Sequence, residues 1–119
     1  VSTLVIQAQS DLCEVRKMIH KIGFFIEKEK FCMDAGKPYL VMRAVRGEEK
    51  TPYEPAEYEY GRLLPEVSDT AYRKFLLDER EKKMKLQETL NMQKTSGAGA
   101  RVEELTEEIT GLNWILNKF

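Results

Sequence analysis

Apolar residues recur along this chain in two different rhythms, and each rhythm predicts a different element. A short apolar run, Leu4 with the β-branched Val5 and Ile6, ends abruptly in polar residues, and Leu12, Val15, Ile19 and Ile22 follow at steps of three and four. The first pattern predicts a strand, the second a helix with one apolar stripe. Asp11 and Glu14 have capping-box spacing, and Gly23 can take the left-handed conformation that ends a helix. Residues 24–33 read as a second strand, charged at 27–30, and Asp34-Ala35-Gly36-Lys37 as a four-residue hairpin loop. Residues 39–45 return as the strongest strand. It is apolar on both faces, which predicts a central strand covered on both sides. The expected order is β-α-β-β with an antiparallel final pair.

Downstream the rhythm changes. Residues 47–66 hold Pro52, Pro55 and Pro65 with Tyr53, Tyr58 and Tyr60, and read as an extended connector across the domain. Ser68 or Asp69 is placed to cap a long helix over 70–94. Residues 95–100 form a flexible break, with Gly97-Ala98-Gly99 as a hinge, before a second helix over 101–118. In that helix Val102, Leu105, Ile109, Leu112, Leu116 and Phe119 make a coiled-coil seam. The first helix offers Tyr72, Leu76, Leu86 and Leu90 in the same register, interrupted by Glu79 and Lys83. The link between them suits an antiparallel helical hairpin. Three regions follow: residues 1–47 a sheet domain, 48–67 a connector, 68–119 the hairpin.

Composition narrows the picture without naming a chemistry. The chain has 119 residues, a third of them charged, with a net charge of −1. That is one small domain or part of a larger one, and no global basic field announces nucleic acid. No apolar run has transmembrane length and no signal peptide is visible, so no membrane partner is expected. Cys13 and Cys32 lie in apolar segments without a pairing framework, which suggests a reduced, cytoplasmic setting and no metal site.

The candidate chemistry is thin. In open α/β sheets ligands bind at the carboxyl ends of strands, which places Gln7, Gln9 and Ser10 on the rim of a site. His20, near its helix C-terminus, is expected to be solvated. The three connector tyrosines can stack on bases or pin the connector to the sheet. Glu48, Glu49, Glu54, Glu57 and Glu59 read as a solvated acidic run. No nucleophile, base and acid come together, so the catalytic residues stay unknown. Residues 72–95 carry seven bases and four acids, whereas 100–119 carry two bases and four acids. Opposite charges can pair the two helices, and a basic face with Arg73, Lys74, Arg80 and Lys83 can also meet a phosphate backbone.

Several short fragments, in order and spacing, resemble one family over the whole chain. They are Leu4-Val5-Ile6-Gln7, Val15-Arg16, Gly23-Phe24, Ile26 with Glu29, the stretch Ala35-Gly36-Lys37-Pro38-Tyr39, and Tyr60-Gly61-Arg62-Leu63-Leu64. Together they resemble the C-terminal half of the bacterial S-adenosylmethionine-dependent tRNA (adenine-22-N1)-methyltransferases. Two positions differ, because Ala8 and Arg62 stand where that family has proline. The resemblance implies an α/β fold: the C-terminal part of a Rossmann-like class I methyltransferase sheet, followed by an α-helical coiled-coil hairpin. The chain would supply the fifth strand, its helix, and the sixth and seventh strands, the seventh lying antiparallel between the fifth and sixth. It further implies tRNA as partner and S-adenosylmethionine as the parent protein's cofactor, bound upstream and not by this chain alone.

The first strand would then be left with an unpaired side, so its partner is expected to be the missing upstream half of the methyltransferase domain or a second copy of the chain. The start at Val1, without an initiator methionine, suits a trimmed or excised piece. A non-catalytic interaction module, acting through the coiled-coil hairpin, is the alternative.

Overall fold

The structure is a computed structural model that describes residues 2–67, 69–93 and 97–119. Its elements are β1 (Thr3–Ala8), α1 (Leu12–Lys21), β2 (Phe24–Asp34), β3 (Lys37–Arg46), α2 (Pro55–Tyr60), α3 (Leu63–Glu66), α4 (Thr70–Gln93) and α5 (Ala98–Leu116). The sheet order is β1-β3-β2, with both pairings antiparallel. The strongest strand of the sequence is therefore the central one, and the last strand sits between the first two.

The hairpin between β2 and β3 is tighter than the four-residue loop expected. Asp34 and Lys37 already pair, leaving Ala35 (φ 50°) and Gly36 (φ 79°) as a two-residue turn. Positive φ at both central positions suits the twist of the flanking strands. Partway along β2 the register slips between Ile26 and Lys28. The extra residue changes the parity of the strand. Without it Lys28 and Lys30 would follow Phe24 and Ile26 into the core. With it Glu29 and Phe31 turn inward and the lysines stay exposed.

One side of the sheet carries the core. Ile19 of α1 packs with Phe24, Ile26, Phe31, Leu40, Met42 and Ala44, and the base of the hairpin adds Tyr72, Leu76, Leu112 and Ile115. The opposite face lacks the cover expected for the central strand, since Tyr39, Val41 and Val45 of β3 are only half-buried and Arg43 is exposed. β1 likewise buries one face, the one packed on the core. Leu4 and Ile6 are half-buried while Val5 is 71% exposed. The α1 stripe shifts as well: Ile22 is exposed, and Arg16, between Val15 and Ile19, is fully buried. Asp11 does not cap this helix through its side chain, being itself left-handed at φ 55°.

The connector is corrected most. It is not extended but forms α2 and α3. Pro55 is the first residue of α2, where its missing N–H costs nothing. Glu54 and Glu57 close a capping box there, with glutamate in the place usually held by serine or threonine. Pro65 falls inside α3, and of the connector's prolines only Pro52 lies outside a helix.

In the hairpin, Val102, Leu105, Ile109, Leu112, Leu116 and Phe119 all face α4 or the core to some degree. The α4 side differs from expectation, since Leu86 is 42% exposed. Lys83 and Gln87 cross the seam instead, Lys83 to Glu108 and Gln87 to the Val102 carbonyl and Thr106 hydroxyl. Asp69 caps α4 by accepting from the Tyr72 N–H, and Ser68, the other candidate, lies outside the described residues. The second helix starts at Ala98, three residues earlier than expected. Part of the expected break is thus helical, and its residues 95 and 96 lie outside the described residues, as does Lys94. The hairpin projects from the sheet, giving overall extents of 52 × 28 × 25 Å.

Candidate functional site

The carboxyl end of β1 gives a short rim. Gln7, Gln9 and Ser10 are all exposed, and the left-handed Asp11 turns the chain from strand into α1. Aspartate is one of the few non-glycine residues that take this conformation readily, so the turn carries little strain. Beyond the rim, a cleft of about 750 Å³ separates α1 and α2 from the hairpin, lined among others by Cys13, Lys17, Glu59, Glu79 and Glu107. Burial and the neighbouring Glu59 carboxylate push the Cys13 thiol above its ordinary pKa, so it stays a thiol in this acidic cleft. Among the described residues no cluster of His, Cys, Asp and Glu is arranged to hold a metal ion.

Between sheet and hairpin lies a joint that the sequence reading did not single out. Arg16 donates from Nε and Nη2 to Glu29 Oε1 (3.2 and 2.7 Å) and from Nη1 to the Tyr58 carbonyl (2.7 Å). Both side chains of the ion pair are inaccessible to water. Gly61 lies directly on the pair: a Cβ there would come within 3.0 Å of Arg16 Nη2 and Glu29 Oε2, and its φ of 94° is in the region that favours glycine. Tyr72, at the start of α4, donates its hydroxyl to the Tyr60 carbonyl (2.9 Å). Burial drives its phenol far above the ordinary range, so it stays protonated as a donor.

His20, one turn after Arg16, belongs to the same joint and is not solvated as expected. Its Nδ1 lies 2.8 Å from the Tyr58 hydroxyl and its Nε2 2.8 Å from Glu49 Oε2, which also accepts from the Ile26 N–H. Tyr53 packs edge-on against the imidazole. Arg62 covers the Tyr53 ring, pairs with Glu57 at 2.7 Å, and donates to the Thr51 and Pro52 carbonyls. Tyr53 and Tyr58 therefore pin the connector. Glu49 and Glu57 are partnered members of what looked like a solvated run.

The basic residues proposed for α4 divide into two groups. Arg73 and Lys74 are exposed near the start of the helix. Arg80 donates to Asn113 Oδ1 (2.8 Å), and Lys83 pairs with Glu108 (3.1 Å). Half of the set thus also ties the two helices together.

The profile of the tRNA (adenine(22)-N(1))-methyltransferases matches residues 1–113. The chain belongs to this family. Its fold recurs in a Listeria monocytogenes protein of uncharacterized function (TM-score 0.88, 17% identity), covering 98% of this chain and 51% of that one. It recurs in the Bacillus subtilis m1A22 tRNA methyltransferase TrmK (0.81, 18% identity), over 96% of this chain and 51% of that one. It is found again in M. capricolum TrmK, solved with S-adenosylhomocysteine (0.77, 16% identity), over 98% and 50%. The chain therefore spans about half the length of these structures. A comparison with curated protein sequences gives no match.

Three of the fragments that carried the family resemblance, at Arg16, Glu29 and Gly61, meet in the joint although they are far apart in sequence. The available signals were small: an arginine inside an apolar stripe, and a glycine directly after a helix.

Proposed function

We propose that this chain is the C-terminal portion of an S-adenosylmethionine-dependent tRNA adenine N1-methyltransferase, acting in the cytoplasm. The observation that carries the reading is the sheet order β1-β3-β2 in a chain of this family, with one side of β1 open to a further strand. The upstream half of the domain fills that side, and a second copy of the chain is the lesser candidate. The rim at Gln7, Gln9 and Ser10 offers neither a glycine-rich turn nor an acidic ribose partner, so the cofactor belongs to the upstream half. Methyl transfer needs an adenine N1 brought in line with the methyl donor, usually after the base leaves its stack. This chain's share is to complete the sheet, line the rim with those three residues and hold tRNA on Arg73, Lys74, Arg80 and Lys83.

The test uses the longer protein that carries this chain. With methyl-labelled cofactor and tRNA it should modify one adenine at N1, read as a primer-extension stop, and no transfer would overturn the reading. Changing Arg73 and Lys74 to Gln should weaken tRNA binding and flatten its salt dependence by about 0.7–0.9 of log-log slope per lost contact. Adding Arg80→Gln and Lys83→Gln should flatten it further, by less per residue, because those two are also engaged across the hairpin.

A further inference from the structure

We infer that Arg16, Glu29 and Tyr72 are positioning residues that lock the helical arm at one angle to the sheet, and so set where a tRNA held by the arm meets the catalytic half. The inference rests on the functional reading above. Its structural basis is that the C-terminal end of α2 is held from both sides. The last carbonyls of a helix have no partner within it. Here Arg16 takes the Tyr58 carbonyl from the sheet side and Tyr72 takes the Tyr60 carbonyl from the arm side. Gly61, the next residue, rests on the ion pair with no room for a side chain. Arg16 and His20, one turn apart on α1, hold Tyr58 at its carbonyl and its hydroxyl.

Stability alone is a poor explanation of this arrangement. Taking an arginine and a glutamate out of water costs several kcal/mol per ion in real proteins, and well-packed apolar residues of similar volume commonly serve as well or better. Glu29 Oε2, moreover, is buried with no hydrogen-bond partner. What the pair adds is direction, because the planar guanidinium presents its N–H groups to a carboxylate and a carbonyl at fixed angles.

Direction matters because Tyr72 sits in the first turn of the 24-residue α4. At 1.5 Å per residue, a tilt of about 10° at the joint moves Lys83 by roughly 3 Å and the helix tip by roughly 6 Å. A 1 Å misplacement can cost about a hundredfold in rate.

The experiment compares the full-length enzyme with its Arg16→Met, Glu29→Leu double variant and with Tyr72→Phe. Spin labels introduced as unnatural amino acids at the exposed Lys28 and Glu88 report the arm angle independently of activity. For the double variant we expect Tm to hold within about 5 °C. The label distance distribution should broaden. kcat/KM for tRNA should fall about tenfold or more, with cofactor affinity unchanged. Tyr72→Phe, which keeps the ring packing, should lower kcat/KM by about two- to threefold in the same way.

An unbroadened distribution overturns the inference, as does an unchanged kcat/KM, or a loss of activity that merely follows a lowered Tm. If the double variant does not fold, Tyr72→Phe decides by the same readouts. If the unmodified enzyme does not methylate tRNA, the functional reading fails by itself, and the distance distribution alone decides whether the joint holds the arm.

Discussion

The joint and the helical hairpin use the same kinds of side chain under opposite conditions. In the joint, Arg16 and Glu29 are both inaccessible to water. Along the hairpin, the side chains of Lys83 and Glu108 are 25% and 37% exposed, and those of Lys85 and Glu81 74% and 66%. Water screens the second group and leaves each pair little net value, whereas a buried pair is costly to form and costlier to break. Charge count therefore says nothing about which ion pair the fold depends on. Burial decides it.

The strongest way to break this comparison is to remove one partner from each region. Arg16→Met leaves Glu29 buried without its cation and should cost about 3–5 kcal/mol, read from the urea unfolding midpoint. A loss below 1 kcal/mol would place the joint with the surface pairs. The next test separates backbone geometry from contact. Gly61→Ala meets both the ion pair and the penalty of a positive-φ extended conformation that is nearly restricted to glycine, and should cost about 1–3 kcal/mol or more. Gly36→Ala, left-handed but with open space around its Cβ, should cost only about 1–2 kcal/mol. Equal losses would show that the joint does not press on Gly61. The smallest effect belongs to the hairpin: Lys83→Gln should change stability by about 1 kcal/mol or less, with the difference fading as salt is raised. A loss of several kcal/mol that resisted salt would erase the contrast.

The hairpin also explains why its outline could be read in advance and that of the joint could not. Its α5 seam is a local pattern, six apolar residues at steps of three and four, and a helix turns that spacing into one face wherever it sits. The seam of α4 was misread at Leu86 because Lys83 and Gln87 can cross an interface through polar contacts that no apolar pattern records. The joint depends on contacts between residues separated by 13 and 42 positions. No periodicity marks such a pair. Arg16 lies inside an apolar stripe and Glu29 within a charged run of four, neither marked as paired, and His20 was expected to be solvated. The candidate site was legible to a similar degree. The exposed strand-end residues Gln7, Gln9 and Ser10 could be placed from the strand-to-helix transition, while the cleft between α1, α2 and the hairpin, which none of the three lines, required the hairpin to be docked.

By itself the sequence determined the strand, helix and turn segments whose apolar spacing or positive-φ residues act locally, together with the resemblance to one family. Tertiary structure alone decided the rest. A single bulged residue at 26–28 reversed the parity of β2 and sent Glu29 inward. The arrival of Arg16 made that carboxylate tolerable. Gly61 lies on the pair, and the connector forms two short helices instead of an extended strap. The physical reason is that burying a charge is unfavourable until its partner is in place, and here the partner comes from another part of the fold.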